Sequence, residues 1–286
     1  MRLFSSKSRT LADLRRTAPG RFVALTDGLT HVVEIGDARA RPLLLVHGAT
    51  VPHWEFNRLV PHLCAAGYRT CSFDFYGHGL SDRPGMEYDV ELFVRQTLEV
   101  VEAVGMARPL TILGHSLGAA VAAAVAARRP AWAGGLVLVA PMLDFDATSA
   151  WSRVFALPGI GAPLMRWVGV PALERRRRHR YLRIGAGDLA QWFVEQARAD
   201  GYADALASMF RARTLADQSR CYAALAGFDG DLLIVAGTAD RVVPRDDVAR
   251  VRALVPRHRY VEIAGAEHNL LLTHPERVVA DLSPRL

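Results

Sequence analysis

The chain has 286 residues, 51% hydrophobic and 22% charged, with a net charge of +6 and three cysteines. Folding buries roughly three quarters of the surface of a chain this long, so one large domain with an insertion and a deep pocket is expected. Cys64, Cys71 and Cys221 form no CxxC pair and leave one unpaired in any bridging scheme, which argues against a disulfide framework or a zinc site.

Residues 1–20 read as an N-terminal tail. Leu3, Phe4, Leu11 and Leu14 lie there among Arg2, Lys7, Arg9, Arg15 and Arg16, an apolar face too thin to favour a membrane surface over a docked or frayed tail. The first thirty residues lack the apolar core of a secretory signal and no run of eighteen apolar residues follows, so a cytoplasmic protein is expected. The positive charge would suggest a nucleic-acid partner. However, Lys7 is the only lysine in an alanine-rich chain whose other basic residues are all arginine, a pattern of GC-rich coding, and no nucleic acid is expected.

Strand-length apolar runs then recur: RFVAL (21–25), HVVEI (31–35), PLLLVHG (42–48), TCSFDF (70–75), LTILGHS (110–116), GLVLVAP (135–141), DLLIVAG (231–237) and RYVEIAG (259–265). Several are continuously apolar, as strands covered on both faces must be. Helix-like spacing separates them in WEFNRLVPHLCAAG (54–67) and YDVELFVRQTLEVVEAVG (88–105). This alternation predicts a mostly parallel α/β sheet of eight strands whose first two form an antiparallel lead-in.

The alternation lapses between Pro141 and Asp231, a connection that needs structure of its own. The expected organisation is therefore core over 21–144, a helical cap over 145–220 above the C-terminal strand ends, and core again over 221–286. Within the cap, the basic run Glu174 to Arg180 is expected to be a solvated helix face.

The strongest chemical signal is Gly114-His115-Ser116-Leu117-Gly118, set directly between a strand and the helix-forming run AAVAAAVAARR. A turn this tight strains the central residue, and flanking glycines remove the Cβ atoms that would clash. Ser116 is the expected nucleophile, and the N-terminus of the following helix favours a developing oxyanion. A serine needs a base and an orienting carboxylate on later strand ends. His268, after YVEIAG, is the expected base, while His115 braces the turn, His47 and His78 sit in glycine turns, and His179 belongs to the basic run. Asp240, after LLIVAG, is the expected acid, with Asp144 and Asp146 at the preceding strand end as alternatives and Asp246 and Asp247 expected to cap a helix. The expected oxyanion donors are the backbone N–H groups of Leu117 and of Ala49, with Thr50 in reserve.

Taken together, LLLVHGAT, DFYGHGLSD (74–82), GHSLG, GTADRVVP and AEHNLLLTHPE resemble the successive motifs of the α/β-hydrolase fold family, from about residue 43 to 276. The resemblance implies the α/β-hydrolase sheet with an inserted cap, and no metal or organic cofactor. It also implies that Asp74, Gly77, Gly79 and Ser81 are structural turn residues. A serine stands at the elbow where dehalogenases and epoxide hydrolases of the fold carry aspartate, which argues against those chemistries. The apolar stretch 151–173 resembles the lids of monoacylglycerol-lipase-like and ring-cleavage-product hydrolases. A small lipophilic ester is thus the leading substrate. Lactone, thioester or carbon–carbon bond hydrolysis, acyl transfer, and ligand binding without turnover are the alternatives.

Overall fold

A computed structural model describes residues 10–148 and 151–282. Arg2, Leu3, Phe4, Lys7 and Arg9 of the expected tail lie outside the described residues. The rest of that tail forms a short helix, Leu11–Arg15, whose Thr10 and Asp13 make a reciprocal capping box. Arg15 docks it onto the core through Asp82 Oδ1 at 2.7 Å and the Leu80 carbonyl at 2.8 Å.

All eight predicted strands form: β1 (Arg21–Leu25), β2 (Gly28–Ile35), β3 (Arg41–Val46), β4 (Tyr68–Phe73), β5 (Leu110–His115), β6 (Ala133–Val139), β7 (Asp231–Gly237) and β8 (Arg259–Ile263). They make one sheet in the order β1-β2-β4-β3-β5-β6-β7-β8. β2 is antiparallel to both β1 and β4, and every pairing from β4 to β8 is parallel.

Successive strand residues point to opposite faces, and both faces are dry. Leu44, Val46, Leu136, Leu138 and Ile234 join one buried cluster, whereas Leu43, Leu45, Val137, Val139 and Val235 join the other. That is why these runs are continuously apolar rather than alternating. The helix Val90–Ala103 begins at Asp89, whose carboxylate accepts the Leu92 N–H at 2.7 Å, and buries Leu92, Phe93, Val100 and Val101 on the first cluster. The helix Leu117–Arg128 is buried over most of its circumference, which its run of alanines allows by keeping the helix thin.

Between β6 and β7 the chain makes the helices Ser152–Phe155, Gly161–Leu164, Val170–Arg183, Gly187–Ala197 and Tyr202–Arg211. A π-helical turn, Met165–Gly169, joins the second to the third. The insertion is tied to the core at one place above all: the Tyr202 hydroxyl and Gln196 Nε2 donate to the Thr50 carbonyl at 3.0 and 3.1 Å, and Arg177 donates to Thr50 Oγ1 at 2.7 Å. Gln196 also accepts the Gly79 N–H at 2.8 Å. The short helix Ser219–Ala223, just beyond the insertion, packs instead on Leu117–Arg128. No described helix is long and apolar enough to cross a membrane.

Candidate active site

Ser116 sits between β5 and the helix Leu117–Arg128 at φ 55°, a left-handed conformation that a side-chain-bearing residue adopts only under constraint. The constraint is packing against β3. A Cβ on Gly118 would meet the Val46 carbonyl oxygen at 2.1 Å, and one on Gly114 would meet that of Gly118 at 2.2 Å. The Ser116 N–H donates to the Val139 carbonyl at 2.9 Å, which pins the turn to β6 as well.

His268, five residues past the end of β8, places Nε2 3.2 Å from Ser116 Oγ. Its Nδ1 lies 2.8 Å from Asp240 Oδ2, three residues past the end of β7. A carboxylate only accepts, so Nδ1 carries the proton and Nε2 is left as the acceptor for the Ser116 hydroxyl. Asp240 is oriented in turn by the N–H groups of Val242 and Val243, which donate to Oδ1 at 2.7 and 3.1 Å. Burial works to raise the Asp240 carboxyl, but the His268 hydrogen bond and charge and these two N–H groups outweigh it and hold it below the usual carboxylate range. His268 is itself pushed below the usual histidine range, first by burial, then by the charges of His115 and Arg177 against the opposing pull of Asp240.

The alternative acids are not in this arrangement. Asp144 Oδ1 accepts the Ala147 N–H at 3.0 Å, and burial together with Asp144 raises the Asp146 carboxyl. Asp246 and Asp247 are not caps either. Pro244 occupies the N-cap of the helix Arg245–Leu254, and the two acids fill its first turn, where they face the positive end of the helix dipole.

Ala49 lines the cavity above Ser116, and no acceptor among the described residues meets the N–H of Ala49 or of Leu117. The loop carrying Ala49 is rigidly held. His47 Nε2 accepts the Phe75 N–H at 2.8 Å, so its Nδ1 donates to the Gly48 carbonyl at 2.7 Å. That neutral form fits a pKa lowered to about 4 by burial and the neighbouring His78. His78 Nε2 contacts the Ala49 carbonyl at 2.8 Å.

Glu55 was not legible as a site residue. Its Oε1 accepts the Gly48 N–H at 2.9 Å, and its Oε2 lies 3.1 Å from His115 Nδ1. His115 Nε2 in turn faces the His268 carbonyl at 3.0 Å. With an acceptor at each ring nitrogen, His115 is built to be an imidazolium; burial opposes that charge, but Glu55 and the His268 carbonyl raise its pKa above the usual value. The expected brace at the elbow is thus a hydrogen-bonded Glu55–His115 pair that joins the Ala49 loop to the His268 loop.

Asp74 is the hub of a second buried cluster. It accepts from His53 N and Nδ1, His31 Nδ1 and Leu80 N at 3.0, 2.6, 3.0 and 2.9 Å. Among the described residues, His31, His53 and Asp74 are the one group with metal-ligand spacing, but each Nδ1 is directed at Asp74 itself and the trio ties β2 to two loops. A Cβ on Gly79 would stand 2.2 Å from Asp74 Oδ2, and Ser81 Oγ donates to the Asp74 carbonyl at 2.6 Å, so the turn closes around the carboxylate. All three cysteines are free thiols, and burial pushes that of Cys71 up to about 12.

Over Ser116 and His268 lies a cavity of about 680 Å³. The insertion supplies Phe155, Met165, Val168, Leu173, Leu206 and Phe210 to its wall. The apolar stretch 151–173 turns only part of itself to the cavity, and the expectation for the basic run is corrected. Trp167 is 77% exposed and faces away from the cavity, because the π-helical turn puts Met165, Val168 and Gly169 inward. The basic run is not wholly solvated, since Arg176, Arg177 and Arg180 line the cavity. The spacing of 173, 176, 177 and 180 is the i, i+3, i+4, i+7 pattern of one helix face, a signal the sequence did carry. Asn269, 6% exposed and beside His268, also lines the cavity, and its amide Nδ2 and Oδ1 have no partner among the described residues.

An eight-stranded sheet of this order with a serine on a strained strand-to-helix turn defines an α/β hydrolase. The chain belongs to the alpha/beta hydrolase family, whose pattern matches residues 43–282. It is 28% identical over 269 residues to haloalkane dehalogenase 2 of Mycobacterium tuberculosis (strain ATCC 25618 / H37Rv), covering 90% of this chain and 91% of that protein. It is 25% identical over 210 residues to 2-hydroxymuconate semialdehyde hydrolase of Pseudomonas sp. (strain CF600), covering 71% of each. The crystal structure of the enol-lactonase from Burkholderia xenovorans LB400 superposes with a TM-score of 0.75 at 20% identity, covering 91% of this chain and 97% of that one, a likeness of fold.

Proposed function

We propose that the protein is a serine hydrolase that cleaves a carboxylic ester with an apolar acyl or alcohol part through an acyl-enzyme on Ser116. The observation that carries the reading is the hydrogen-bonded line from Asp240 Oδ2 through His268 to Ser116 Oγ, 2.8 and 3.2 Å, at the floor of a largely apolar cavity. Ser116 Oγ attacks the ester carbonyl carbon while His268 Nε2 takes its proton. The resulting imidazolium is stabilised by Asp240, and the oxyanion accepts the N–H groups of Leu117 and Ala49. Collapse of this intermediate expels the alcohol, protonated by His268. Water activated by the same histidine then frees the acid and restores Ser116.

The same steps serve a lactone or thioester, and with a different proton acceptor a carbon–carbon bond, so leaving-group chemistry is decided by the cavity. Haloalkane chemistry of the kind named for one relative is not carried over, because displacement at an alkyl carbon calls for a carboxylate nucleophile where Ser116 stands. The test is steady-state hydrolysis of acyl esters, lactones and thioesters by wild type and Ser116→Ala. A loss of several orders of magnitude in kcat with an unchanged fold supports the reading, and undiminished turnover by the variant refutes it.

A further inference from the structure

The charges that line the cavity are unbalanced. Four arginines line it, Arg177 and Arg180 half-buried and Arg176 and Arg241 exposed, against a single acidic residue, Glu55. That carboxylate is already engaged by the Gly48 N–H and by His115, at 2.9 and 3.1 Å. Arg177 donates only to the neutral Thr50 Oγ1 at 2.7 Å, and no carboxylate lies within ion-pair distance of it among the described residues. Arg180 stands 3.9 Å from Glu267, but the nearer partner of Glu267 is Arg183 at 2.9 Å. Burial and the neighbouring charges of Arg177, Arg176 and Arg183 depress the Arg180 guanidinium, the mark of cations gathered without enough anion.

This placement also works against the chemistry at Ser116. The charge of Arg177 reaches His268 and disfavours the imidazolium that must form when Ser116 gives up its proton. A bound anion on Arg177 would cancel that opposition. Asn269, next to His268, adds a buried amide whose Nδ2 and Oδ1 meet no partner among the described residues. The helix Val170–Arg183 therefore presents two halves to the cavity: Leu173 and the residues before it are apolar, and Arg176, Arg177 and Arg180 after it are cationic.

We propose that the substrate is an anionic amphiphile, with its apolar part against Phe155, Met165, Leu173 and Phe210 and a carboxylate or phosphate held by Arg177, Arg180 and the Asn269 amide. The forked guanidinium matches either oxyanion group in two-point fashion. The inference rests on the reading of Ser116 as the nucleophile of an ester hydrolase and adds the class of its substrate.

The experiment compares kcat/KM within matched pairs. One set carries the anion on the alcohol part: octanoyl esters of 4-hydroxybenzoate, of 4-hydroxyphenyl phosphate and of the neutral 4-hydroxybenzamide. The other carries it on the acyl end: mono-4-nitrophenyl suberate against 4-nitrophenyl octanoate. In at least one set the anionic member is expected to be preferred by roughly tenfold or more in kcat/KM, with the preference reduced in high salt. Arg177→Gln and Arg180→Gln, checked for folding by thermal melts, should each lower that preference. The carboxylate and phosphate arms tell which oxyanion is favoured. Turnover of neutral and anionic members alike, or a preference untouched by both variants, overturns the inference and leaves the ester-hydrolase reading standing. If no ester is turned over, that reading fails by itself. Calorimetric binding of octanoate against octanamide to wild type then decides the anion site, with equal affinities overturning it.

Discussion

Glu55 Oε1 accepts the Gly48 N–H at 2.9 Å, so one buried carboxylate fixes the loop whose next residue, Ala49, lines the cavity. Its second oxygen works to raise the His115 pKa, and the charge of His115 helps depress His268. Glu55→Gln preserves the shape and removes the carboxylate. His115 should then lose its proton more readily, and His268 should become easier to protonate. The acid limb of kcat/KM against pH is expected to move to higher pH in this variant. An unmoved limb would mean that the dyad does not act on the base.

In the wild type the sign of that limb is fixed by His268 alone. Activity requires its neutral form, and its pKa lies below the ordinary 6.5. Activity should therefore persist as pH falls past 6.5 and be lost only when the lowered pKa is crossed. The same group sets a stability trend. The unfolded chain protonates this histidine more readily, so its contribution to stability falls as pH drops below 6.5. His115 has the opposite sign, contributing below its unfolded value and losing that contribution as pH rises through its raised folded value. The kinetic limb, read from kcat/KM between about pH 4 and 8, isolates His268 from the stability terms.

Asp240→Asn should lower kcat by about 10⁴, because an amide lets the imidazole adopt the wrong tautomer and no longer stabilises its charged form. Asp144→Asn should leave kcat within a few-fold of wild type, since the Asp144 carboxylate accepts the nearby Ala147 N–H and has no bond to His268. Steady-state kinetics on both variants checks the ranking, and its reversal would move the acid to the end of β6.

Gly118→Ala should destabilise the fold by about 2 kcal/mol or more, in the range of overpacked cores. Its Cβ would lie 2.1 Å from the Val46 carbonyl oxygen, a backbone atom that cannot swing away. Thermal or urea unfolding measures this directly, and a wild-type midpoint would show that the elbow tolerates separation from β3.

Each substrate methylene buried against the insertion should add up to ~0.8 kcal/mol, nearly fourfold in kcat/KM, until the cavity is filled. Leu173→Ala, which thins the wall without touching the sheet, should flatten that rise across a series of acyl lengths. A flat profile in the wild type would remove the case for an apolar substrate part.

What the sequence made legible was what has a single physical solution. Runs such as LLLV and LVLV, of strand length and followed by turn residues, read as doubly covered strands, and GHSLG between a strand and an alanine helix reads as a sharp elbow. Asp240 and His268 followed because both come just after core strands. Glu55 was hidden because its role depends on a fold that brings residue 115 beside residue 55. The spacing of the arginine run marked one helix face, but not that this face turns inward. A helix in an insertion has no sheet to dictate which stripe turns inward, and the π-helical turn at Met165–Gly169 resets the phase between Trp167 and Leu173.

Serine hydrolysis requires that Ser116 be an activated nucleophile. Wild-type protein and Ser116→Ala should be treated with a fluorophosphonate, and the mass of each chain and its labelled peptide measured. One adduct, on Ser116 in the wild type and absent from the variant, is the predicted result. An unlabelled wild type that still hydrolyses its best ester, or an adduct on another residue with Ser116→Ala fully active, would contradict it.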